Sequence, residues 1–187
     1  MVRVLGIGGS VRRNSSSERA LRIAAAAAED AGGTVELITG RALVLPTYDP
    51  DAARRTAEVA ALVEAFRRAE ALLISSPAYH GTISGMMKNA LDYAEDLRDD
   101  GRPYLTGLPV GCIAVGNGWQ ASVSTLGTLR TCVHALRGWP SPLGAALNAA
   151  LPIFDKATGA CTDPSARFQL ETVGRQVVEF GRSREEV

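Results

Sequence analysis

Apolar residues along this chain fall into five short blocks separated by longer stretches of mixed polarity. The blocks are residues 2–7 (VRVLGI), 34–38, 71–75, 108–115 (LPVGCIAV) and 142–147. Short apolar runs bounded by turn residues are the pattern of strands buried on both faces of a parallel sheet. The stretches between them predict helices. Residues 17–31 are rich in strong helix formers, open at a Ser15/Glu18 pair with capping-box spacing and stop at Gly32 and Gly33. Residues 56–69 place Val59, Leu62, Val63 and Phe66 three and four apart among Glu and Arg. Further helices are expected from Ser84 onward, over 122–136 with Gly138 and Pro140 as the stop, and over 165–180. Residues 40–50, 96–106 and 149–163 carry turn residues without a period and are expected as loops.

Strands alternating with helices imply one α/β domain over residues 1–187, a doubly wound, five-stranded parallel sheet with helices on both faces and right-handed crossovers. With strand order 2-1-3-4-5, a ligand would bind beyond the carboxyl ends of the strands, at the switch point between the first and third. The loops after the first, third and fourth strands then meet in one crevice.

Composition narrows the partners. Lys plus Arg and Asp plus Glu number 20 each, so the balanced charge gives no reason to expect a nucleic acid or an anionic membrane surface. No apolar run approaches the length of a membrane span or a signal peptide, and the chain is expected to be cytoplasmic. Cys112, Cys132 and Cys161 are widely spaced with no CxxC, which supports neither a disulfide framework nor a metal site.

Two loops could carry chemistry. Residues 8–17 offer the amides at the start of a helix, the hydroxyls of Ser10, Ser15, Ser16 and Ser17, and the guanidinium of Arg12 or Arg13, a set suited to a monophosphate. Residues 72–92 (LLISSPAYHGTISGMMKNALD) read as strand, loop and helix, with Pro77, Tyr79, His80 and Gly81 able to lay backbone and rings against a flat ligand. Better-known signatures fail. No glycine-rich loop ends in Gly-Lys-Ser/Thr, and the dinucleotide fingerprint that starts at Gly6 has Val11 in place of its third glycine. The hydrolase elbow GxSxG is missing, and His80 has no evident nucleophile, acid or metal-ligand partner, so it reads as a contact residue.

The motifs GSVRRNSSS and SPAYHGTISGMMKNALD are similar to the GSxRxxS and SPxYxxSxSGxLKNALD stretches of the NADPH-dependent FMN reductase family, which has the flavodoxin-like fold. The resemblance covers most of the chain. It implies FMN with its phosphate on the first loop, held by Ser10, Arg12, Ser15 and Ser17 with Ser16 beside them. It also implies a ring system between Pro77, Ala78, Tyr79, His80, Gly81 and Thr82 on one side and Gly116, Asn117 and Gly118 on the other. Ser17 stands where many relatives carry Asn, and Ala78 and His80 stand where Glu and Asn are frequent. The implied reaction is hydride transfer from NADPH or NADH to flavin N5 and onward to free flavin or a quinone, with no side chain acting as acid or base. A homodimer or homotetramer is expected, with the third helix near the interface because Met86, Met87, Leu91 and Tyr93 exceed what one buried face requires. The alternative is a flavodoxin-like, FMN-binding electron carrier that does not oxidise NAD(P)H, to which the neutral charge is less suited.

Overall fold

The computed structural model describes residues 1–155 and 157–183. Its elements run β1 (Arg3–Gly8), α1 (Ser16–Asp30), β2 (Thr34–Thr39), α2 (Ala57–Arg68), β3 (Ala71–Tyr79), β4 (Thr82–Ile83), α3 (Gly85–Asp92), β5 (Pro109–Gly116), α4 (Trp119–Ala135), β6 (Trp139–Pro140), β7 (Ala145–Asn148) and α5 (Pro164–Ser183). The sheet is ordered β2-β1-β3-β5, and β6 and β7 share the last position beside β5. All of these neighbours are parallel, which gives the expected flavodoxin-like order.

Alternation along the strands builds two cores. Leu5, Ile7, Leu72, Ile74, Val110 and Cys112 face α2, α3 and α4, whereas Val4, Ala71, Leu73, Ile113 and Val115 face α1 and α5. The side-chain period of two forces this division, and the inner strand β5, buried along its whole length, carries no charged residue, whereas the edge strand β2 is only partly buried and carries Glu36. α1 contributes Ala20, Ala24, Ala25 and Ala28 to its core, so the backbones of α1 and α5 can lie close together.

Three details depart from the sequence reading. First, residues 77–79 are strand and not loop. Pro77 pairs with Val115 of β5, and Ala78 and Tyr79 pair with Ile83 and Thr82 across a tight hairpin. His80 and Gly81 form its turn with φ of 52° and 82°, the double positive φ that a two-residue hairpin requires and that glycine supplies at no steric cost. Second, the strand expected over 142–147 is shortened to β7 (Ala145–Asn148), and a separate two-residue strand, β6 (Trp139–Pro140), precedes it at the same sheet position. Pro140 and Pro142 cannot donate to the ladder, and the chain leaves and rejoins β5 around them. Third, residues 40–50 include one 3₁₀ turn, Gly40–Leu43, and α3 continues into another, Tyr93–Leu97.

Candidate functional site

A cleft of about 980 Å³ opens at the carboxyl ends of β1, β3 and β5, within the size range of small-molecule sites. Its floor and one end come from the first loop. Ser15 caps α1, its Oγ accepting from the Glu18 N–H at 3.1 Å and lying 3.2 Å from Ser17 Oγ. Ser10 Oγ accepts from the Arg12 N–H at 3.2 Å, and Asn14 turns the chain with φ of 53°. Among the described residues, the Ser16 and Ser17 N–H groups donate to no protein acceptor and Arg12 makes no ion pair. Two free amides at a helix N-terminus near a guanidinium with no ion pair are a donor set able to hold an anion.

Ties to β3 and α3 fix this loop. The Gly9 N–H donates to the Ser75 carbonyl at 2.8 Å, and Ser75 Oγ donates to the Ser17 carbonyl at 2.8 Å. Ser84, the N-cap of α3, accepts from the Met87 N–H at 3.1 Å and donates through its hydroxyl to the Gly9 carbonyl at 2.8 Å.

The other walls are the end of β3 and the start of α4. Pro77, Ala78 and Tyr79 line the cleft beside Gly116 and Asn117. The two segments touch, because a Cβ on Gly116 would lie 2.8 Å from the Ala78 Cβ and 3.1 Å from Ser122 Oγ. Gly116 is therefore a close-approach glycine that lets β3 and the α4 entry meet.

Ser10, Arg12, Ser15, Ser16, Ser17, Pro77, Ala78, Tyr79, Gly116 and Asn117 thus border one cavity, while His80, Gly81, Thr82 and Gly118 do not line it. His80 and Gly81 form the hairpin tip, where the Gly81 carbonyl accepts from Ser124 Oγ of α4 at 2.8 Å. Gly118 caps α4, and its carbonyl accepts from the Ser122 N–H and from Ser122 Oγ. Sequence reasoning missed the fourth wall, which residues 149–155 and Thr162 provide together with Arg19 and Asn14. The position of 149–163, directly after the last strand at the same end of the sheet, was the available signal. Among the described residues Asp155 is the only carboxylate lining the cleft, and hydrogen bonds from the Thr158 N–H and hydroxyl hold it below the usual carboxylate range.

The model of the NADPH-dependent FMN reductase family matches residues 2–151. The chain belongs to this family. An NAD(P)H-dependent FMN reductase of Pseudomonas aeruginosa is 32% identical over 133 residues, which is 71% of this chain and 66% of that protein, just under two thirds of its length. Among solved structures, FerB, a flavoenzyme NAD(P)H:(acceptor) oxidoreductase from Paracoccus denitrificans, superposes with a TM-score of 0.81 at 22% identity over 98% of both chains. RosB, solved with bound 8-demethyl-8-formylriboflavin-5′-phosphate, superposes with a TM-score of 0.74 at 18% identity over all of this chain and 81% of its own. At these identities the two structures share the fold.

The donor set of the cleft fits FMN, since Ser16, Ser17 and Arg12 line a cavity of about 980 Å³, large enough for a flavin. Among the described residues no group of three or more His, Cys, Asp or Glu could hold a metal ion, and no helix is long and apolar enough to cross a membrane.

Proposed function

We propose that this protein is an NAD(P)H-dependent FMN reductase, with FMN in the cleft at the carboxyl ends of β1, β3 and β5. The observation that carries the reading is the joining of an anion site, made by Arg12 and the Ser16 and Ser17 amides, to a long cavity edged by backbone and Tyr79. FMN, when bound, supplies the hydride and electron chemistry.

The protein's part is to bind and to orient. Ser10, Arg12, Ser15, Ser16 and Ser17 hold the phosphate, the guanidinium and amides supplying charge and the serine hydroxyls shaping the turn. Pro77, Ala78, Tyr79, Gly116 and Asn117 face the ring system. His80, Gly81, Thr82 and Gly118 act from behind, by setting the hairpin and the first turn of α4. Tyr79, 55% exposed at the mouth, leaves one side of the cavity open for the nicotinamide of NADPH or NADH and afterwards for an acceptor such as free flavin or a quinone. The P. aeruginosa relative, named for the same activity, supports this reading, as does the flavin phosphate held by RosB.

The chain acts as a single domain, in the cytoplasm, and as a homo-oligomer of two or four copies. The surface that supports association is not the one read from the sequence. Met87, Leu91 and Tyr93 of the third helical region lie in the core, and only Met86 is partly exposed. α4 instead exposes Trp119 and Val123, at 54% and 58%, on a helix with no charged residue before Arg130. Light scattering at micromolar protein tests the assembly, and a species of 19.7 kDa alone would refute it. The activity is tested by anaerobic reduction of bound FMN with NADPH and with NADH.

A further inference from the structure

The cleft wall contributed by residues 149–155 and Thr162 lies outside the named strands and is held by a few polar contacts. The segment folds back through a bridge between Phe154 and Cys161, and the Asp155 N–H donates to the Ala160 carbonyl at 2.8 Å. The Asp155 carboxylate is occupied inside this turn, accepting from the Ala157 N–H at 3.0 Å, the Thr158 N–H at 2.6 Å and Thr158 Oγ1 at 2.8 Å. At the far end, Arg167 Nη2 donates to the Cys161 carbonyl at 2.7 Å, Thr162 Oγ1 donates to the Pro152 carbonyl at 2.9 Å, and Ile153 is buried in the core beside α1 and α5.

The tie to the other side of the cleft is Arg19. Its Nη1 donates to the Asp155 carbonyl at 3.2 Å, and its guanidinium lies so close to the turn that a Cβ on Gly159 would be 3.2 Å from Arg19 Cζ. Arg19 also lines the cleft and makes no ion pair among the described residues. Helical side chains lean toward the helix N-terminus, so Arg19 lies over the turn that starts at Ser15 and carries the free amides. One side chain therefore joins the helix bearing the anion site to the wall facing it.

We infer that Arg19 is a positioning residue for the flavin, acting through the wall by fixing its distance from the first turn of α1. The inference rests on the flavin reading given above. A cleft held at its bound width binds more tightly than one whose wall must be ordered on binding. Because the hydrogen bond that Arg19 makes goes to a backbone carbonyl of the wall, the effect inferred for it reaches the whole flavin, in contrast to that of Arg12.

The test is titration of FMN and of riboflavin into the wild type, R19M, R19K and R12A, with hydrogen exchange of residues 149–163 measured on the flavin-free proteins. R19M is expected to weaken both flavins by the same factor, about tenfold, the worth of one charged hydrogen bond. R19K, which keeps a cationic donor, should recover most of that loss, and exchange in 151–162 should quicken in R19M and little elsewhere. Loss of FMN alone would make Arg19 a phosphate contact and overturn the inference. Unchanged affinity for both flavins, or unchanged exchange in the wall, would also overturn it. A wild-type protein that binds neither flavin would overturn the functional reading itself, a result that appears before any substitution is made.

Discussion

The Ser84 hydroxyl donates to the Gly9 carbonyl at 2.8 Å while accepting from the Met87 N–H, so one buried side chain caps α3 and holds the first loop against it. The loop after β1 and the helix after β3 are 75 residues apart in sequence and are set relative to each other by this contact. Ser84→Ala removes a helix cap and leaves a buried carbonyl without its donor, and is expected to cost about 1–3 kcal/mol in urea unfolding. Ser84→Thr, which keeps the hydroxyl, should lose less.

Arg12→Ala should weaken FMN by roughly 1.5–3 kcal/mol, the worth of a charged hydrogen bond, and leave riboflavin almost unchanged. Isothermal titration with both flavins checks it. Equal losses would move the phosphate away from the first loop.

Gly116→Ala should destabilise the protein by about 1–3 kcal/mol, because its Cβ would meet Ala78 and Ser122 where strand and helix entry already touch. Ala78→Gly in the same chain removes one of the two clashes, so the double variant should be more stable than the single effects predict when summed. Thermal unfolding of the four proteins of this cycle measures the coupling.

The Cys112 thiol, buried in β5, is pushed up to about 12 from an ordinary 9.0, chiefly by loss of hydration. A raised pKa means that the folded state favours the protonated thiol, so its contribution to stability is complete below pH 9.0 and is lost as pH rises towards about 12. Stability should fall by as much as about 1.4 kcal/mol per pH unit across that window. Cys112→Ala should flatten that slope, which guanidinium unfolding between pH 8.5 and 11 would measure (roughly the window of the shift).

His80 sits at the tip of a hairpin with positive φ, a conformation that Asn adopts more readily than most residues. His80→Asn should therefore fold normally and keep FMN reduction by NADPH within about tenfold of wild type, since losing a general acid or base typically costs about 10²–10⁴. Stopped-flow reduction across neutral pH decides it, and a hundredfold loss with intact FMN binding would make His80 a proton carrier.

The sheet order and both cores were legible in the sequence because buried parallel strands leave unmixed apolar blocks, as at Leu72, Leu73 and Ile74. The start of α1 was legible because Ser15 and Glu18 have capping-box spacing, and Ser15 does cap the helix. Residues 77–79 were misread because Pro77 and the His80-Gly81 pair look like loop chemistry, whereas β5 pairs with Pro77 and a two-residue turn completes the hairpin. Their strand state depends on partners far along the chain. The place of 149–163 after the last strand pointed to the cleft, but how that segment is held was not readable, since the contact that ties it to α1 joins Asp155 to Arg19 across 136 positions. Met87 and Leu91 looked surplus because the 3₁₀ turn after α3, which shares their core, has no local period to reveal it.

The proposed activity requires that the cleft hold FMN and let NAD(P)H reduce it. The most direct measurement is the visible absorbance spectrum of the FMN-loaded protein under anaerobic conditions, before and after stoichiometric NADPH. The oxidised-flavin band should bleach on mixing and return when a quinone is added. An FMN-loaded protein whose spectrum neither NADPH nor NADH changes would contradict it.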